Sequence, residues 1–345
     1  MTHVTIGARE VGDGRPCFIV AEIGSNHDQD FDKALRLIDA AADAGVDAVK
    51  FQTFRASQHY SRRTPGFSYL GGQDTFALIE SLELDRSWQG RLLQHANERG
   101  VEFFSSPCDV EALAELDVLG VPTHKLASFD LPDVGLVAAM ARTGKPIVLS
   151  TGMATWMDIQ LALDVMAAEG NERAILLQCT SLYPAPPALA NLRAMASMRA
   201  AFGTLVGYSD HTMGDTVCVA SVALGACFLE KHLTLDRSCV GPDHSFAMEP
   251  DELAVMVHRI REVEAAQGDG RKTGPRPEEA EMAEKGRRSL HAAVDIPSGM
   301  VIDDSMLVVK RPGLGISPSL RPQVLGRHAR RVIEQDEWIT WDALQ

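Results

Sequence analysis

The chain has 345 residues, 45% of them hydrophobic and 23% charged, with 33 Lys plus Arg against 47 Asp plus Glu and a formal charge of −14. At ~150 residues per domain that length fits one large domain or two smaller ones. The acidic balance argues against a nucleic-acid or anionic-membrane partner, the composition argues against wholesale disorder, and no apolar run approaches the ~20 residues that cross a bilayer.

The opening MTHVTIGARE lacks the basic-then-apolar layout of a signal peptide. From residue 17 onward, short apolar runs rich in β-branched residues alternate with runs of helical period. Strands are predicted at 17–24 (CFIVAEIG), 48–54 (AVKFQTF), 101–107 (VEFFSSP), 123–129 (THKLASF), 146–152 (PIVLSTG), 174–181 (AILLQCTS), 205–210 (LVGYSD) and 227–235 (CFLEKHLTL). Helices are predicted between them, among them 30–45, 155–170 and 249–268. The first carries Phe31, Ala34, Leu35, Ile38 and Ala41 on one face. Gly45, Gly100, Gly120, Gly144, Gly170, Gly203 and Gly225 each stand where a helix ends before a strand.

Eight strand–helix units over about 260 residues match a (β/α)₈ TIM barrel. The alternative, a doubly wound open sheet for a dinucleotide, wants G-x-G-x-x-G after its first strand, where this chain reads EIGSNH. Residues 55–85, with Arg62, Arg63, Pro65, Gly71 and Gly72, read as an elaborated loop or lid. The barrel is expected over 1–268. The Gly-, Pro- and charge-rich stretch 269–288 reads as a linker, and 289–345 as a small β-rich module near the lower size limit for independent stability. The six cysteines form no C-x-x-C pair and read as reduced, buried thiols of a cytoplasmic protein, not as a disulfide framework or zinc site.

In such barrels functional residues lie at the C-terminal strand ends. Those ends hold Glu22, Lys50, Gln52, Ser105, Ser106, Lys125, Ser128, Asp130, Ser150, Thr151, Cys179, Thr180, Tyr183, Ser209, Asp210, His211, Glu230, Lys231 and His232. Residues two apart share a strand face, so Lys50 pairs with Gln52 and Glu230 with His232. His211 and His232, on adjacent strands, suit a divalent metal with open positions. The bland alternative is two unrelated rim histidines. Lys50 and Lys125 with the small hydroxyls of Ser106, Ser128, Ser150 and Ser209 suit a phosphate or phospho-carboxylate, and a lysine snorkelling to solvent is the competing reading for each. Glu22 is a general acid/base, a support for a metal, or a partner for Lys50. Tyr183 lines a sugar pocket or simply packs. Cys179 reads as a small apolar filler.

At these residues the chain resembles the sialic acid synthase family, the nonulosonate synthases. The matching segments are AEIGSNH (21–27), DAVKFQTF (47–54), SSPCD (105–109), HKLASFD (124–130), LSTGM (149–153), QCTSLYPAP (178–186), GYSDHT (207–212), LEKHLTLDR (229–237), GPDHSFAMEP (241–250) and KRPGLGI (310–316). DIPSG (295–299) and KRPG resemble the antifreeze-like (SAF) domain of these enzymes. The resemblance implies a barrel plus this domain, in a domain-swapped homodimer whose small domains cap the partners' barrels. It also implies condensation of phosphoenolpyruvate with an N-acylated mannosamine-type aldose, aided by manganese or, alternatively, magnesium or cobalt.

By motif, His211 and His232 match metal ligands, and Lys50, Ser106, Lys125, Ser128, Ser150 and Ser209 match phosphoenolpyruvate contacts. Glu22, Gln52, Tyr183 and Asp243 match positions around the acceptor and the chemistry, with Glu22 or Asp210 expected to move protons. Arg311 matches an arginine that reaches the neighbouring active site. Where sialic acid synthases commonly read GSGE this chain reads ASFD (127–130). KLASFD resembles the pseudaminic acid branch, GPDHSF the sialic or legionaminic branches, and VKFQTFRASQHYSRRTP members described as spore-coat polysaccharide synthases. The acceptor therefore stays open between N-acetylmannosamine and a 2,4-diacetamido sugar. A synthase of seven- or eight-carbon keto acids, or a non-catalytic sugar-binding protein, are the competing functions.

Overall fold

The computed structural model describes residues 2–67 and 72–345. Gly71 of the elaborated loop therefore lies outside the described residues. The chain divides into two compact units, Met1–Gly268 and Asp269–Gln345.

The first unit opens with a hairpin that periodicity did not predict, β1 (His3–Ile6) paired antiparallel with β2 (Arg9–Gly12). Val4, Ile6 and Val11 join the barrel core. Arg9 pairs with Asp47 just before the strand Ala48–Thr53, and Ala8 N donates to Glu102 at the start of the strand Glu102–Pro107 at 3.0 Å, so the hairpin closes the N-terminal end of the barrel. All eight predicted strands form: β3 (Phe18–Gly24), β4 (Ala48–Thr53), β5 (Glu102–Pro107), β6 (His124–Leu126), β7 (Ile147–Ser150), β8 (Ala174–Cys179), β9 (Leu205–Asp210) and β10 (Phe228–His232). They make one parallel sheet in the order β5-β4-β3-β10-β9-β8-β7-β6. β10 pairs with β3, so the sheet wraps into a nearly closed barrel whose seam, between β5 and β6, has no ladder. Both faces are covered, which is why the strands read as continuous apolar runs.

Helices Phe31–Asp43, Trp156–Ala168 and Pro250–Gln267 match their predicted spans to within two residues. Asp30, Asp109 and Asp133 cap helix starts by accepting N–H groups three residues on, and Thr155 with Asp158 forms a capping box. All seven helix-terminating glycines have positive φ. These caps fix where each strand end, and so each rim side chain, must lie.

The second unit packs Leu290, Ile296, Ile302, Leu307, Val324, Ile333 and Ile339 around a two-stranded antiparallel pair, β11 (Ser289–Ala292) and β12 (Leu307–Lys310). The stretch read as a linker is not featureless. It carries a 3-10 turn at Pro277–Glu279 and a short helix at Ala280–Gly286, and belongs to this unit.

Candidate active site

A cavity of about 580 Å³ opens at the C-terminal strand ends, within the usual size range of ligand pockets. Register builds it. Glu22 pairs with Lys50 across β3 and β4, and with His232 across β3 and β10, while Gln52 pairs with Ser106 and Ser209 with Glu230. Paired residues on parallel strands face the same way, so these side chains converge in one interior layer.

Four charges meet there. Lys50 Nζ lies 2.7 Å from Glu22 Oε2 and 3.7 Å from Glu230 Oε2, and donates to Ser106 Oγ at 3.2 Å. Lys125 Nζ donates to Ser150 Oγ at 2.7 Å and stands 4.0 Å from Glu230 Oε2. Ser209 Oγ donates to Glu230 Oε1 at 3.1 Å, and Gln52 Nε2 to Glu22 Oε1 at 2.7 Å. Two ammoniums thus face two carboxylates. Burial pushes the Lys50 ammonium toward losing its proton, but Glu22 and Glu230 overcome this and hold its pKa above the usual lysine range. Lys125 is pushed down by burial, with Lys50 adding to the effect. Burial also raises the Glu22 carboxyl, with Glu230 adding to it, despite Lys50. Glu230, although buried, is held low by Lys125 and Lys50.

Beside this cluster the His211 and His232 rings lie 5.4 Å apart, with Phe246 packed against both and Tyr183 4.4 Å from His211. His211 Nδ1 donates to Thr180 O at 2.8 Å, which leaves Nε2 a lone pair. His232 Nδ1 is buried without a hydrogen-bond partner. Burial lowers both imidazole pKa values, and for His232 the neighbouring His211 lowers it further. Two neutral, adjacent imidazoles with one orphaned nitrogen fit a divalent cation with open positions. Asp243 Oδ2 lies 3.8 Å from His232 Nδ1, and burial beside Glu22 pushes its pKa up to about 7.

Ser128, Ser150, Ser106, Tyr183 and Asp243 all line the cavity. Gly152 N donates to Ser128 Oγ at 3.0 Å, and a Cβ at Gly152 would stand 2.3 Å from Ser181 Oγ and 2.7 Å from Cys179 Sγ. Cys179 lines the cavity too, its Sγ 3.1 Å from Ser128 Oγ.

Asp210 is a correction. It does not line the cavity; it accepts from Lys231 Nζ at 2.6 Å and from Thr212 N and Oγ1, both at 3.0 Å, on the helix side of the barrel. Strand alternation turns Ser209 and His211 inward and Asp210 outward. Arg311 belongs to the second unit, where its Nε donates to Gly286 O at 2.7 Å. Glu230 contacts both lysines and Ser209, and its spacing of two from His232 was the available signal. His59, Cys108 and Asp130 meet on the cavity wall from three separate segments, which no spacing could disclose.

A NeuB family model matches residues 37–272, and a SAF domain model matches 287–345. An N,N'-diacetyllegionaminic acid synthase of Campylobacter jejuni is 39% identical over 328 residues, 93% of this chain and 98% of that one. An N-acetylneuraminate-9-phosphate synthase of Mus musculus is 35% identical over 343 residues, 98% and 95% of the two chains. The crystal structure of a sialic acid synthetase of Leptospira borgpetersenii superposes with a TM-score of 0.75 at 33% identity, covering 81% of this chain and 94% of that one.

Proposed function

The chain belongs to the NeuB family of nonulosonic acid synthases, and from that premise we propose that it condenses phosphoenolpyruvate with an N-acyl mannosamine-type aldose to a nine-carbon keto acid and phosphate. The observation that carries the reading is the paired-lysine cluster, Lys50 and Lys125 with Ser106 and Ser150, beside two neutral histidines in one cavity. An anionic ligand entering the cavity would compete with Glu22 and Glu230 for these two buried ammoniums.

Lys50 and Lys125 bind the phosphate and carboxylate of phosphoenolpyruvate by charge-assisted hydrogen bonds, and Ser106, Ser128 and Ser150 supply further donors. Phosphoenolpyruvate attacks through carbon 3, water adds at carbon 2, and the adduct loses phosphate by carbon–oxygen cleavage. His211 and His232 would hold a divalent ion, manganese by preference, which when bound would supply Lewis-acid polarisation at the aldehyde oxygen. Glu22, raised by burial, holds or gives up a proton at carboxylate Oε2, where a ligand that draws off Lys50 changes its charge partner. Gln52 orients Glu22 through Oε1, and Tyr183 and Asp243 line the sugar's side of the cavity.

A 2,4-diacetamido acceptor is the second reading. Phe54, Phe67, Leu78, Ile79 and Leu82 form an apolar wall of the cavity that suits an extra acyl methyl better than a bare hydroxyl. The protein is proposed to work as a cytoplasmic homodimer, with Arg311 of one chain serving the site of another. Phosphate release from phosphoenolpyruvate, with and without N-acetylmannosamine or a 2,4-diacetamido sugar in the presence of manganese, tests the reading. Release that ignores every N-acyl aldose contradicts it.

A further inference from the structure

Apart from the two histidines, the described residues contain two places where three ligand-type side chains bring donor atoms within 4.8 Å of one another. At the first, Asp28, Cys239 and His244, the charges are already matched. Lys33 pairs with Asp28, and His244 uses Nδ1 on Thr234 Oγ1 at 2.7 Å and Nε2 on Asp28 Oδ1 at 3.0 Å.

The second, His59, Cys108 and Asp130, lines the cavity and, among the described residues, has no lysine or arginine in direct ion-pair contact, although Lys50 acts on Cys108 and Lys125 on Asp130 at longer range. His59 ends the short helix Ala56–His59 after β4, Cys108 directly follows β5, and Asp130 ends the 3-10 turn Ser128–Asp130 after β6. The three come from successive strand ends and straddle the seam where β5 and β6 share no ladder. His59 Nδ1 stands 3.9 Å from Asp130 Oδ1. That is long for a hydrogen bond, and a few tenths of an ångström beyond the roughly 3.3–3.6 Å that separates two ligands bonded to one tetrahedral ion at about 2.0–2.2 Å. Burial, with Asp130 beside it, raises the Cys108 thiol, and burial raises the Asp130 carboxyl against the pull of His59. The thiol and the carboxyl already lie within hydrogen-bond reach of each other, and a divalent ion bound by the three donor atoms would take the place of the thiol proton.

We propose that His59, Cys108 and Asp130 form a second cation site, separate from the histidine pair, for a borderline-soft divalent ion such as Zn²⁺ or Co²⁺. The ion is held by one imidazole nitrogen, one thiolate and one carboxylate oxygen, and its fourth position faces the cavity. Mixed nitrogen, sulfur and oxygen donors favour such an ion over Mg²⁺ or Mn²⁺. Binding sends the thiol proton to solvent, together with the carboxyl proton from the fraction of Asp130 that carries one, and changes no oxidation state. The ion ties β5 to β6 across the seam that lacks a ladder, so it stabilises the barrel by mass action. Nothing in this depends on the synthase reading.

The test is a titration with cobalt chloride, under nitrogen and after reduction, of the full chain carrying His211→Ala and His232→Ala. The expected result is a near-ultraviolet sulfur-to-cobalt absorption that saturates at a single equivalent. It persists in Cys239→Ser and Cys179→Ser and is absent in Cys108→Ser. Asp130→Asn keeps the thiol and weakens cobalt binding by at least about tenfold, a factor that even an outer-sphere partner commands. Absence of the band at submillimolar cobalt, or a band that survives Cys108→Ser, overturns the site. If Cys108→Ser fails to fold, unchanged cobalt affinity in Asp130→Asn overturns it equally.

Discussion

Glu230→Gln separates the electrostatics of the cavity from its chemistry, because it should move two readouts in opposite directions. The wild-type carboxylate lies 3.7 Å from Lys50 Nζ and 4.0 Å from Lys125 Nζ, and both lysines are buried. At such distances each attraction is about 4 kcal/mol for an effective dielectric constant of about 20. Desolvation and repulsion from Glu22 consume much of it, and removing one member of a buried ion pair typically costs about 3–5 kcal/mol. The amide keeps the shape and the Ser209 bond but leaves two ammoniums facing one carboxylate. The barrel should therefore lose about 3 kcal/mol in urea unfolding followed by circular dichroism. Inorganic phosphate should bind about tenfold more tightly by calorimetry, a gain of about 1.4 kcal/mol. Unchanged stability together with unchanged phosphate affinity would refute the idea that Glu230 balances the two lysines.

Three further outcomes follow from the same structure. His124 is buried on β6, and burial, with Lys145, lowers its pKa from 6.5 to about 4; the unfolded chain takes up its proton first as pH falls, so folded stability should decline between about pH 6.5 and 4 by roughly 3 kcal/mol, and His124→Gln should flatten that part of the stability–pH curve. Asp210→Asn breaks the buried pair with Lys231 on the helix side of the barrel; it should lower the melting temperature while leaving KM for phosphoenolpyruvate unchanged, and a raised KM with normal melting would return Asp210 to the site. Gly152→Ala puts a methyl against Ser181, Cys179 and Ser128; steady-state kinetics should show a higher KM for phosphoenolpyruvate, and wild-type KM would remove this corner from the substrate site.

The eight strands were legible because a parallel sheet buried on both faces leaves continuous apolar runs, and the helix-ending glycines marked where each run began. The β1–β2 hairpin was not, because four-residue strands such as His3–Ile6 offer too few alternations to stand out. At the rim, parity decided what could be read. Lys50 with Gln52, and Glu230 with His232, follow from a period of two, and the same rule applied one step further would have turned Asp210 outward. The cavity-wall group of His59, Cys108 and Asp130 depends on how three loops fold back after three different strands, and local pattern carries no information about that.

The most direct test of the central claim uses phosphoenolpyruvate labelled with ¹⁸O in the bridge between carbon 2 and phosphorus, with manganese and a panel of N-acyl aldoses. The proposed condensation predicts that released phosphate keeps the label, by its isotope shift in ³¹P spectra, and that one aldose gains three carbons as a keto acid by mass spectrometry. Unlabelled phosphate with free pyruvate, and no aldose of increased mass, would contradict it.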